Sequence, residues 1–363
     1  MLWRGIEDTE VGPVLPHTIA ALADWDGRDL PPEAAFAALV EDLRAGRAAG
    51  TLGVAAGRLN QDVAGFRSLL VATGRRVAGN FEGSAKDAVL RADPAWGEVE
   101  TWGAIVRARG PLTDFFVLSA LDLRRDAAGE IGQLPPDGRI FRIVFVRTFW
   151  IAGLTTVIAL ILAYPLAALL AQLSARAAGL MMIAILLPLW TGLMVRTAAW
   201  MALLAREGVV NSALVGLGVF DEPQTLLFNR FAVLVAMVHI LLPFMVLPLY
   251  AVMRQIPISL WRASESLGAG FVPSFLRVWL PQTMPGIGAG CLMVFIQALG
   301  FYITPALLGG GNDQLLSYFI GFYANQTVNW GLASALALLL LVSTLMIVGL
   351  YGKLVGFSAV RTT

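Results

Sequence analysis

Few residues in this chain of 363 are equipped for chemistry, and their spacing excludes most of it. His17 and His239 are the only histidines, and neither has a cysteine or a cluster of acids beside it, so no metal-ligand pattern exists. The single cysteine, Cys291, stands in an apolar run, which rules out a disulfide or a redox pair. Gly309-Gly310-Gly311 lacks the Lys-Ser/Thr that follows in a P-loop and reads as a turn. Gly286-x-Gly288-x-Gly290 imitates half of a dinucleotide fingerprint, but small residues in an apolar run serve close helix approach. Asn325-Gln326-Thr327 matches the glycosylation pattern by chance. The apolar runs hold no Ser-His-Asp set and no carboxylate pair, and no ATP-binding signature occurs. The expectation is a chain that is not an enzyme and binds no cofactor or metal of its own.

One charge stands where charge is expensive. Arg196 interrupts an apolar run, and an arginine at the centre of a membrane span costs roughly 2.5–3.5 kcal/mol on insertion scales. It either faces a protein interior or water, or it snorkels or pairs with a backbone carbonyl. His239 reads as a hydrogen bond across helices. Trp200, Gln297, Tyr302 and Thr304 supply aromatic and polar groups that, with Arg196, could line a solute route. The spans contain no acid; Asp221, Glu222 and Asp313 fall in loops.

These residues are carried by an all-α, polytopic membrane bundle. A span needs about 20 apolar residues to cross about 30 Å of hydrocarbon, and five such runs occur, at about 148–172, 180–204, 231–253, 285–307 and 333–355. They form a membrane domain over 141–363. Pro165 is expected to kink the first span or mark a close neighbour. Residues 1–140 hold no such run and read as a small, mainly helical soluble region. In it, Pro31-Pro32 precedes an amphipathic helix over 33–43, with apolar residues at 36, 39, 40 and 43. Further helical patterns cover about 60–74, 84–92 and 112–128, with a turn at Pro135-Pro136-Asp137-Gly138. A net charge of +1 gives no reason to invoke nucleic acid.

The most structured polar interruption runs from Arg254 to Gly286. Its pattern predicts a short amphipathic helix carrying Leu260, Ser264, Leu267 and Phe271, then a glycine stop, then a second short helix ending at proline. Arg254, Arg262 and Arg277 against Glu265 make it basic, which places it in the cytoplasm. Arg176, Lys353 and Arg361 fall on the same side, against Arg206 and Arg230 on the other. With five spans, residues 1–140 then lie outside. Met1-Leu2-Trp3-Arg4 opens without a signal peptide, so either a first helix is missing from this chain or the topology is unusual, and the missing helix is the expectation.

This loop resembles the "Glu-Ala-Ala, three residues, Gly, nine residues, Ile-x-Leu-Pro" element of ABC importer permeases. Ala263, Ser264, Leu267, Gly268, Ala269, Val278, Leu280 and Pro281 stand at the family positions, and Arg262 replaces the leading glutamate. Pro188-Leu189-Trp190-Thr191, Arg196-Thr197-Ala198-Ala199-Trp200, Leu203 to Asn211, Tyr302 to Gly311 and Asn329-Trp330-Gly331 resemble the spermidine/putrescine permeases of that class. Together they cover nearly all of 143–355.

The resemblance implies a type I importer transmembrane fold with six spans, in the inner membrane of a bacterium. It implies that the loop seats on a dimer of ATPase subunits, which hydrolyse the ATP. A second permease subunit and a periplasmic substrate-binding protein are the other implied partners, beside the lipid bilayer. Polyamine is the implied solute, with another small solute (an opine, an iron complex, a sulfonate) as the alternative. A secondary transporter would commonly carry ionisable groups in its spans and inverted repeats, neither of which is evident. A membrane-anchored sensor would need a cytoplasmic output domain.

Overall fold

The computed structural model describes residues 2–79 and 83–359; Arg361, counted above for topology, lies outside them. The chain divides into two compact units, residues 1–142 with 322–339, and residues 143–321 with 340–363.

The first unit contains helices α1 (Pro16–Ala21), α2 (Glu33–Ala49), α3 (Leu52–Asp62), α4 (Phe66–Arg76), α5 (Ala85–Ala92), α6 (Val99–Arg107) and α7 (Phe115–Ala120). Its core is aromatic. Trp102 meets Phe36 edge-on at 4.6 Å and Trp96 at 5.3 Å, and all three side chains are fully buried. Buried indoles need partners: Trp96 Nε1 donates to Thr73 Oγ1 and Trp102 Nε1 to the Trp96 carbonyl. α2 extends beyond the expected 33–43 and stops at Gly50, which takes the left-handed conformation. The helix expected over 60–74 is instead two, because the chain turns at Gly65 with φ +88°. The 112–128 expectation fails in the same way. α7 is short, and Leu123–Arg125 (β1) pairs antiparallel with Ile131–Gln133 (β2) through a turn containing Gly129.

The second unit holds the apolar helices α8 (Phe141–Gln172), α9 (Ala175–Leu186), α10 (Leu193–Leu204), α11 (Val209–Gly216) and α12 (Arg230–Met253). After them come α13 (Ile258–Ser266), α14 (Phe271–Ser274), α15 (Leu280–Leu299), α16 (Ile303–Leu308), α17 (Leu316–Asn325) and α18 (Trp330–Ala359). α8, α17 and α18 each carry residues of both units. Among the described residues, four helical runs are long and apolar enough to cross a membrane: Phe141–Gln172, Arg230–Met253, Phe271–Leu299 and Trp330–Lys353.

The second expected span, 180–204, is not one helix. It is a pair, Ala175–Trp190 and Leu193–Gly216, bent by 97°. Pro188 cannot donate to the helix ladder, and Thr191 and Gly192 are extended, so the helix restarts at Leu193. The fourth span is displaced from 285–307, running through Phe271–Leu299 and ending at Gly300. The first begins at Phe141 rather than near 148. Asp122, itself at φ +58°, accepts from the amides of Ile140, Phe141 and Arg142 and so caps its start. Pro165 lies inside α8 without ending it.

α12 and α15 pack closely at the glycine series. A Cβ on Gly286 would stand 3.1 Å from the Pro248 carbonyl, and one on Gly290 only 2.7 Å from Met245 Sδ. A Cβ on Gly288 would collide with the Tyr351 hydroxyl. Close helix approach is therefore what these glycines provide.

Candidate functional site

α13 starts after Pro257 and ends at Leu267, where Gly268 adopts φ +83°. The amides of Gly268 and Ala269 return to the carbonyls of Glu265 and Ser264 at 2.9 and 3.0 Å, closing the helix end. α14 then leads the chain back. Ser264 Oγ donates to Ser274 Oγ at 2.8 Å, and both side chains are buried, so the two arms of the hairpin are pinned together. The second short helix does not end at proline. α14 continues through a π-helical turn, Phe275–Trp279, directly into α15, with Pro281 at its start. An α-helical Pro281 would clash with the carbonyl four residues back, and the wider turn relieves that crowding.

Among the loop residues named from sequence, Ser264 is therefore an internal strut and Gly268 the turn. Arg262, Ala263, Leu267 and Pro281 are exposed, while Ala269, Val278 and Leu280 are half-buried. Leu267 is 88% exposed and Phe271 72% exposed, so the tip of the hairpin is apolar and uncovered. Arg254 has a task that sequence reading missed: Nη1 donates to the carbonyls of Ala171 and Leu173, holding the end of α8 against the end of α12.

The route residues separate into two sets. Arg196 lies in the first turn of α10, just past the break, with its amide on the Gly192 carbonyl. Its Nε and Nη1 are buried without a hydrogen-bond partner. One turn on, Trp200 Nε1 donates to His239 Nδ1 of α12 at 3.2 Å, with the rings edge-on at 5.4 Å. The expected cross-helix role of His239 is thus observed. Thr197 bonds Thr304 at 3.1 Å, which ties α10 to α16; Thr304 is fully buried there rather than facing an open surface. Tyr302, partly exposed, stacks toward Tyr318 at 6.0 Å, and Gln297 is half-buried on α15. Among the described residues, no hydrogen bond, ion pair or ring contact joins Gln297 or Tyr302 to Arg196.

The loop after α16 is anchored by charge. Asp313 Oδ1 accepts from Arg230 Nε at 3.0 Å, and Arg147 donates to the Gln314 carbonyl. The Gly309–Gly311 triplet forms the turn into this anchor, with the Gly310 amide on Asp313. Among the described residues no group of three or more histidines, cysteines or acids could hold a metal ion.

The hairpin tip thus presents exposed apolar side chains, and the α10 break brings polar and aromatic groups together. The spermidine/putrescine transport system permease protein PotB of Haemophilus influenzae is 32% identical over 216 residues, 58% of this chain and 76% of that protein. PotB of Escherichia coli is 33% identical over 207 residues, 56% of this chain and 75% of its own length. The chain belongs to the spermidine/putrescine type of ABC transporter permease. The inner membrane ABC transporter permease protein YdcU of E. coli is 32% identical over 234 residues, covering 60% of this chain and 72% of that protein. No family model matches. The chain is thus a multi-pass inner-membrane permease subunit, built as a polytopic helical bundle.

Proposed function

We propose that this permease seats an ATPase dimer on the hairpin Ile258–Ser274 and moves polyamines along a route that passes Arg196 and Trp200. The observation that carries the reading is the braced hairpin with an apolar tip. Leu267 and Phe271 stand uncovered on an element whose arms are pinned by Ser264 and Ser274. Exposed apolar residues on a rigid loop fit a protein partner. ATP would be bound and hydrolysed by that partner alone. Closure of the two ATPase subunits would pull on the hairpin, and the unbroken run from Phe271 into α15 would carry the motion to α12 through the Gly286 and Gly290 contacts.

A second permease subunit would complete the route, and a periplasmic binding protein would deliver the solute. Residues 1–140 would lie outside, so protease added to intact spheroplasts should cut near Arg124-Arg125. The deciding experiment is co-expression with the ATPase subunit of a spermidine/putrescine ABC importer. Leu267→Glu should abolish both co-purification and uptake of labelled spermidine. Retention of both by this variant defeats the docking assignment, and uptake unaffected by excess polyamine defeats the choice of solute.

A further inference from the structure

Behind α13 lies a cavity of about 390 Å³ that shares Phe271 with the hairpin tip but opens toward α8. Tyr164 of α8, Trp261 of α13, Phe271, Phe275 and Trp279 line it, and Glu265 supplies a carboxylate. The rings are set at angles to one another. Trp261 meets Phe271 at 5.4 Å and Trp279 at 6.4 Å, and Tyr164 meets Phe275 at 6.0 Å, all edge-to-face. Glu265 is held in place by Trp261, whose Nε1 donates to Oε1 at 2.8 Å. That bond leaves the second carboxylate oxygen for a ligand.

The loop as a whole is basic, yet none of its arginines lines this cavity. Its chemistry is therefore opposite to that of its surroundings. Aromatic faces present negative potential, and a carboxylate among them excludes an anion while favouring a cation that is poorly hydrated. Its lining is mainly apolar, and Ile258 and Ala168 offer only hydrocarbon. A metal ion would find a single carboxylate, too few ligands to displace its water.

We infer that this cavity is a binding site for a primary alkylammonium, separate from the solute route. The ammonium head sits between Glu265 and the indoles of Trp261 and Trp279, and the methylene chain lies against Phe271 and Phe275. Occupancy bridges α13 to the first span at Tyr164, so it restrains the hairpin and slows the ATPase that the hairpin would drive. This second consequence rests on the docking reading above; the binding does not.

The test is calorimetric titration of the full chain in lipid nanodiscs with 1,6-diaminohexane, and with 1,6-hexanediol as the uncharged counterpart. The diamine should bind saturably and the diol should not. Glu265→Gln and Trp279→Leu should each weaken the diamine by roughly tenfold or more, whereas Gly153→Ala, whose added Cβ meets no atom within 4 Å, should leave it unchanged. Glu265→Gln alters one exposed side chain and does not threaten folding. Equal binding of the diol, or diamine affinity that survives both variants, overturns the site. In the complex with its ATPase, saturating diamine should lower the hydrolysis rate, and Glu265→Gln should relieve that effect; an unchanged rate overturns the restraint. Failure of the ATPase to co-purify, with variant-sensitive diamine binding intact, removes the docking reading and leaves the site standing.

Discussion

The hydroxyls of Ser264 and Ser274 meet at 2.8 Å across the turn at Gly268, so two helical arms ten residues apart move as one body. A flexible loop could bind a partner without transmitting its displacement. A braced one passes it on. The brace depends on the turn, because the pair can form only if the chain reverses within a few residues after Leu267.

Gly268→Val therefore should break the transmission. A left-handed backbone costs a non-glycine residue about 1–2 kcal/mol, and more for a β-branched one, although no atom lies within 4 Å of the added Cβ. Gly270 has equally open space but an ordinary φ of −72°, so Gly270→Ala is the matched control. The valine variant should lose uptake and ATPase stimulation while the alanine control keeps both. Wild-type coupling in Gly268→Val would show that the turn is dispensable.

The α12–α15 contact offers a stability test. Gly290→Val would drive new atoms into Met245 Sδ and its carbonyl, and overpacking of this kind costs about 1–3 kcal/mol. Gly153 on α8 has no neighbour within 4 Å, so Gly153→Ala should be nearly neutral. Thermal unfolding of both variants in detergent should show a lowered midpoint for the first alone.

What could be read from sequence followed the strength of the local signal. The third span was legible to a residue at both ends, because Asn229 and Arg254 bound an uninterrupted apolar run. The hairpin was legible because a helix, a glycine and a second helix leave a sharp pattern. The break at Pro188–Gly192 was not, since hydropathy is blind to backbone direction and the apolar run continues through it. The start of α8 was missed for another reason: its cap, Asp122, lies some 19 residues upstream and no local pattern announces it. Trp200 could be named as a polar-aromatic candidate, but its bond to His239 joins residues 39 apart and belongs to tertiary packing.

In the first unit, His17 should report on pH. Its Nδ1 lies 2.7 Å from Asp42 Oδ1, and this hydrogen bond, with the charges of Glu41 and Asp42, raises the imidazole above its ordinary value. A raised folded-state value stabilises the folded form fully below the unfolded value of about 6.5, and the benefit fades as pH rises through the higher folded value. Asp42 also accepts from the amides of His17 and Thr18, so α1 is the element that should loosen. Amide exchange of α1 should quicken in the wild type as pH rises above about 6.5 and through the higher folded-state value, beyond the intrinsic rate change. His17→Gln should remove that extra dependence; an unchanged profile would rule out the pair.

Arg196 carries the sharpest functional prediction. Its Nε and Nη1 are buried without partners, and it sits in the first turn of α10, where the helix dipole disfavours a positive charge. Both features cost stability, so an arginine with no further role could be replaced with a gain. Arg196→Met removes the charge and keeps the apolar stem, while Arg196→Lys keeps the charge but loses the planar fork. If the guanidinium contacts the solute or gates the route, methionine should abolish uptake while insertion and ATPase co-purification persist, and lysine should restore only part of it. The methionine variant should also unfold at a temperature equal to or above that of the wild type, because a desolvated charge has been removed. Uptake of labelled spermidine in vesicles, measured beside the unfolding midpoint of each variant, separates the two effects. Normal uptake in Arg196→Met would remove the residue from the route and leave the Trp200–His239 pair as the nearest polar surface.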